Sequence, residues 1–144
     1  MNSTNNLTDQ QIKRILSSVR TVASVGLSSD ETKDSFGVGV YLKRAGYHLI
    51  PINPKADRII GEKAYRDLAS VPVKVDAVQI FRPAAEASGI VDDAIRIGAK
   101  VVWMQEGIEN EQAAEKARAA GLQVVMDRCM MQEHRRLLAP SATY

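Results

Sequence analysis

At 144 residues the chain is long enough for one domain that buries roughly two-thirds of its unfolded surface. Its 45% hydrophobic and 25% charged residues are ordinary for a globular protein, and a net charge of +2 argues against a general polyanion-binding surface. A single cysteine, Cys129, leaves no partner for an internal disulfide and denies structural zinc its thiolates, so no metal site is expected and a reducing, cytoplasmic setting fits.

Residues 1–6 and 139–144 read as polar end pieces that fray, flanking one domain over residues 1–144. Thr8-Asp9-Gln10-Gln11 has the form of a capping box, and Ile12, Ile15, Leu16 and Val19 continue it as one apolar helical stripe over about residues 8–20. This start lacks the apolar core of a secretory leader, and no run approaches the ~20 apolar residues of a membrane span. No basic cluster interleaved with aromatics marks a nucleic-acid surface.

Beyond residue 20 the period changes. Short β-branched runs at Val22–Val25, His48–Ile52, Ala77–Phe81, Val101–Met104 and Leu122–Met126 predict about five strands. Helical patterns fall between them at Phe36–Ala45, Ala84–Ile97 and Asn110–Ala120, with a weaker stretch near Glu62–Leu68. Gly46, Gly98 and Gly121 close helices just before strands. The alternation predicts an α/β fold: a Rossmann-like open parallel sheet with helices on both faces, of expected strand order 3-2-1-4-5. Ligands of such sheets bind beyond the carboxyl ends of the strands, where the winding reverses, here expected between strands 1 and 4.

The loop after the first strand is long, running from Gly26 through Leu27, Ser28 and Ser29 to Ser35, before a helix that opens Phe36-Gly37. The compact G-x-G-x-x-G fingerprint of NAD sites is missing, yet backbone N–H groups, hydroxyls and a positive helix terminus are what a pyrophosphate needs. The plainer reading of Ser35 is a helix cap. Strand 2 ends Asn53-Pro54-Lys55, where NAD-binding domains carry an acid for the ribose; a lysine there suits a phosphorylated ribose, as in coenzyme A or NADP.

Taken in order, Val25-Gly26-Leu27-Ser28, Pro51-Ile52-Asn53-Pro54-Lys55, Gly61-Glu62-Lys63, Phe81-Arg82, the run Gly98–Gln105 and Met126-Asp127-Arg128-Cys129 resemble the CoA-binding protein family. These are small stand-alone proteins related to the CoA-binding domain of succinyl-CoA synthetase α subunits, and the resemblance covers residues 19–138. It implies that coenzyme A lies across the strand ends, with Gly26, Ser28 and Ser29 near its phosphates, followed by Ser35, Phe36 and Gly37. Asn53, Pro54 and Lys55 would border the adenosine, with Lys55 on the 3′-phosphate. Phe81, Arg82 and Pro83 would supply a ring and a cation, and Gln105 and Glu106 would complete the ring of loops.

The ligase relatives carry a phosphohistidine in a second domain, which His48 and His134 do not match; both are read as structural, and ligase activity is not expected from this chain alone. No base–nucleophile–orienter set emerges from spacing, so no catalytic residues are assigned. Cys129 follows strand 5 on the pocket side and is read as a packed small hydrophobe, with exchange against the CoA thiol as the sharper alternative. Trp103 and Met104 are expected to close the core. The expected role is a non-catalytic carrier or sensor of CoA or acyl-CoA, against the alternative of an NADP-dependent oxidoreductase.

Overall fold

The computed structural model describes residues 7–138. The expected fraying of residues 1–6 and 139–144 lies outside the described residues. Helix α1 (Asp9–Ser18) begins at the anticipated box: Gln11 N–H donates to Thr8 Oγ1 at 3.1 Å and Thr8 N–H to Gln11 Oε1 at 2.7 Å. Then come β1 (Thr21–Val25), α2 (Asp34–Arg44) and β2 (His48–Ile52). A hairpin of β3 (Arg58–Ile59) and β4 (Glu62–Lys63) precedes a 3-10 turn at Leu68–Ser70. The chain closes with β5 (Ala77–Ile80), α3 (Ala87–Arg96), β6 (Val101–Met104), α4 (Glu111–Ala119), β7 (Gln123–Val125) and α5 (Met130–Leu137).

The main sheet is fully parallel, as expected, but its order is β2-β1-β5-β6-β7. Counted over the five long strands this is 2-1-3-4-5, not 3-2-1-4-5. The third strand lies on the far side of the first, and the winding reverses between β1 and β5. Pro51 gives the physical reason. In β2 its backbone faces outward, where the missing N–H cannot serve a further strand, so β2 must be an edge. The outer edge is instead capped locally: Tyr65 N–H donates to Pro51 O at 2.9 Å and Asn53 N–H to Tyr65 O at 2.8 Å.

The stretch near Glu62–Leu68, expected as a weak helix, is corrected by the same segment. Ile60 and Gly61 both have positive φ, 54° and 75°, the backbone of a tight turn that matches strand twist. The α2 terminus clamps this hairpin: Lys43 Nζ donates to Ile60 O at 2.8 Å and pairs with Glu62 at 2.9 Å.

Strand alternation divides the core. Ala23, Val78, Val102 and Val124 face α3 and α4, whose alanines (Ala94, Ala113, Ala114, Ala117) let the helices approach closely. Val22, Ala77, Val101, Trp103 and Val125 face α1, α2 and α5. Trp103 and Met104 are fully buried, as expected, and the indole N–H of Trp103 donates to Arg128 O at 2.7 Å. On this second face two strand positions are polar. The Ser24 hydroxyl donates to Gln79 Oε1 at 2.6 Å, Gln79 Nε2 donates to Gln105 Oε1 at 2.9 Å, and Met130 N–H donates to the same oxygen at 2.9 Å. The three side chains are buried, and this relay joins the sheet centre to the start of α5.

Both histidines have structural places. His48 is the exposed first residue of edge strand β2. His134 on α5 has its Nδ1 2.8 Å from the Tyr41 hydroxyl and meets the rings of Tyr41 and Tyr47 edge-on. Burial pushes the His134 imidazole below its ordinary 6.5. The unfolded ring therefore takes up a proton that the folded ring refuses, and stability should fall as pH drops from about 6.5 through the depressed folded value. An NMR titration of the ring alongside urea melts checks this; a ring titrating at or above 6.5 contradicts it.

Candidate functional site

The first loop beyond the sheet is built by its own polar side chains. Ser28 N–H donates to Ser35 Oγ at 3.0 Å, and Asp30 N–H donates to Ser28 Oγ at 2.9 Å. Thr32 gives Asp30 Oδ1 both its N–H, at 2.9 Å, and its hydroxyl, at 2.7 Å, which holds that carboxyl below the usual range. Ser35 is therefore not the helix cap. Lys33 occupies that position without a side-chain hydrogen bond, leaving the first turn of α2 uncovered by any cap side chain. Ser28 and Ser35 accept within the loop and keep their hydroxyl protons to donate outward.

Three further positions fix the cleft. Gly26, with φ +90°, lets the Arg82 stem cross directly over it; a Cβ there would lie 2.8 Å from Arg82 Cδ. Asn53 ties two loops together, Nδ2 donating to Leu27 O at 3.0 Å while Oδ1 accepts from Lys55 N–H at 2.8 Å. Arg82 makes a two-pronged pair with Glu86, Nε to Oε1 at 3.0 Å and Nη2 to Oε2 at 2.8 Å. That pairing holds the Glu86 carboxyl below its usual range and raises Arg82 further. Both side chains are about half exposed, so the pair itself contributes little stability.

These groups border a cleft of about 800 Å³ above the ends of β1, β2 and β5. Of the expected residues, Gly26, Ser28, Ser35, Asn53, Pro54, Lys55, Phe81 and Arg82 line it. A second cavity of about 770 Å³ takes in Ser35, Gly37, Phe81, Gln105 and Glu106. The two share Lys33, Asp34, Ser35 and Phe81, so they form one groove that passes the Phe81 ring. Leu27 and Phe36 serve from beneath: Leu27 is fully buried against Leu49 and Ile59, and Phe36 packs on that cluster. Ser29 and Pro83 are exposed and stand outside both linings. Gln105 is held in the buried relay, its carbonyl already accepting twice.

Sequence reasoning missed Lys33, Asp34 and Arg66 in the first half, and Glu31, Ile108 and Met131 in the second. Arg66 arrives beside Tyr65 on the return from the hairpin, a position that the mistaken helix concealed. Lys33 was legible as the cation nearest the α2 terminus. Cys129, a free buried thiol at the start of α5, belongs to the second face of the core and also borders the second cavity. Among the described residues no three His, Cys, Asp or Glu side chains gather as metal ligands, and no helix is long and apolar enough to cross a membrane.

The charges divide along the groove. In the first half four cations (Lys33, Lys55, Arg66, Arg82) face two carboxylates, one of them Glu86 on Arg82. In the second, Lys33 alone faces Glu31, Asp34 and Glu106.

Comparison with known proteins adds an independent line. The family model for the CoA binding domain matches residues 20–135. YneT of Bacillus subtilis (strain 168) is 34% identical over 124 residues, covering 86% of this chain and 92% of YneT. A hypothetical protein from Pyrococcus horikoshii OT3, of known structure, superimposes with a TM-score of 0.91 at 39% identity, over 96% of this chain and 98% of that one. The ADP-forming acetate–CoA ligase II of Archaeoglobus fulgidus is 31% identical over 104 residues, which is 69% of this chain and 16% of the ligase. A Rossmann-like sheet with its groove at the β1–β5 reversal, and a family match over nearly all of the described residues, lead to one conclusion: the chain belongs to the CoA-binding domain family.

Proposed function

We propose that the groove binds coenzyme A or an acyl-CoA, with the phosphates in the cationic half and the pantetheine arm passing Phe81 into the second cavity. The observation that carries this reading is the uneven charge of a single groove at the switch point: cations gather where a phosphorylated nucleotide would lie, and Lys55 stands where a dinucleotide domain has its acid. Family membership supports the same ligand. Lys55 meets the 3′-phosphate, Lys33 and the uncapped turn of α2 meet the diphosphate, and the Ser28 and Ser35 hydroxyls donate alongside. The role is that of a carrier or sensor rather than a catalyst. The buried relay from Gln105 to α5 gives occupancy of the groove a path into the helix layer. A reducing cytoplasm goes with a free thiol at Cys129.

Isothermal calorimetry tests the proposal. Coenzyme A should bind saturably, and dephospho-CoA should bind about ten- to a hundredfold more weakly for want of one charge-assisted contact. Lys55→Ala should erase that difference. No heat from coenzyme A at millimolar concentration overturns the reading, and saturable NADPH binding in its place would favour the oxidoreductase alternative.

A further inference from the structure

We propose that the second half of the groove selects acyl groups by charge, accepting uncharged acyl chains and disfavouring those that end in a carboxylate. The inference rests on the CoA reading above and extends it to the acyl class. Its ground is the composition of the second cavity. Val38, Ile108, Met131 and Cys129, with the Phe81 ring, provide apolar wall for a short alkyl chain. The rim is acidic: Glu31 and Asp34 come from the loop and first turn of α2, and Glu106 from the loop after β6.

Among the described residues none of these three carboxylates stands in an ion pair, and Lys33 is the single cation bordering the cavity. Lys33 also borders the phosphate half, where a diphosphate competes for its ammonium. With coenzyme A in place the acidic rim is thus left without compensation. Asp30, the other carboxylate of the loop, is held by Thr32 and is not part of the lining.

A like charge roughly 4 Å away in a water-facing groove weakens binding several-fold. Three carboxylates against one shared ammonium should therefore penalise a terminal carboxylate about tenfold. Butyryl-CoA and succinyl-CoA are the discriminating probes, because their acyl chains have the same number of carbons and differ in the terminal carboxylate.

Calorimetry on the full chain should give butyryl-CoA binding about tenfold tighter than succinyl-CoA at low salt. The gap should narrow in 0.5 M salt and close to within about twofold in Glu31→Gln/Glu106→Gln, two exposed positions whose neutralisation leaves the core untouched. Equal affinities, tighter binding of succinyl-CoA, or a gap that persists in the double variant would each overturn charge selection while leaving the CoA reading standing, provided that coenzyme A itself binds. If neither coenzyme A nor any thioester binds, the CoA reading falls and takes this inference with it.

Discussion

Gly26→Ala should lose both stability and ligand. The added methyl would sit 2.8 Å from Arg82 Cδ and 3.1 Å from Cγ, on a backbone at φ +90° that L-residues rarely adopt. Left-handed backbone costs about 1–2 kcal/mol and overpacking about 1–3 kcal/mol, so a loss of about 2–5 kcal/mol is expected in urea unfolding. The stem of Arg82 must shift to clear that methyl, which moves the cationic wall, and affinity for coenzyme A should drop by about tenfold, one contact's worth. Adding Arg82→Ala provides the control. It removes the two closest atoms, leaving Phe81 C at 3.4 Å and the φ strain, so part of the stability should return while binding does not. A stable Gly26→Ala protein with native affinity would show that the stem of Arg82 moves aside at no cost.

Gln79→Leu has the second large effect. The change keeps the volume but deletes the middle of the relay, orphaning the buried Ser24 hydroxyl and taking one of two donors from Gln105 Oε1. An unsatisfied buried hydroxyl costs about 1–3 kcal/mol, and the weakened Gln105 contact brings the expected loss to about 2–4 kcal/mol. Removing the orphan should help: Ser24→Ala in the Gln79→Leu background is expected to restore about 1 kcal/mol or more, a non-additivity that a double-mutant cycle reads directly. If Gln79→Leu melts like the parent chain, the relay is a passive filling of the sheet and not a source of stability.

The elements themselves were legible wherever one local signal dominated. The Thr8 box and the β-branched runs each depend on neighbours a few residues apart, and the structure has both. Strand order differs from the expectation although the decisive residue is visible in the sequence. Pro51 marks an edge strand through its missing N–H, and that chemistry outweighs the common doubly wound order, which has a strand on either side of strand 2. The hairpin was harder to foresee, because it places the β-branched Ile60 at φ 54°, a conformation such residues seldom take. Its strain is offset by the Lys43 contact and by packing over Gly39, where a Cβ would come within 2.7 Å of Ile60 Cδ1.

At the site, the backbone-approach glycine Gly26 and the Asn53–Lys55 turn stood out because few residue types serve there. Arg66 did not, since a surface cation far from any local signal acquires meaning only when the topology brings it to a groove. The resemblance places Phe36 at the ligand, whereas the structure packs its ring, together with the buried Leu27, on the hydrophobic cluster of Leu49 and Ile59.

The proline margin of the sheet also bears on how these molecules behave when crowded. An open parallel sheet ordinarily presents two rows of unused amides, each a template on which a neighbour's strand can grow. Here one row is interrupted by an imino acid and already spoken for by Tyr65, and the other runs for only the three residues of β7. A concentrated solution of this protein should accordingly resist fibrillar stacking through its native sheet.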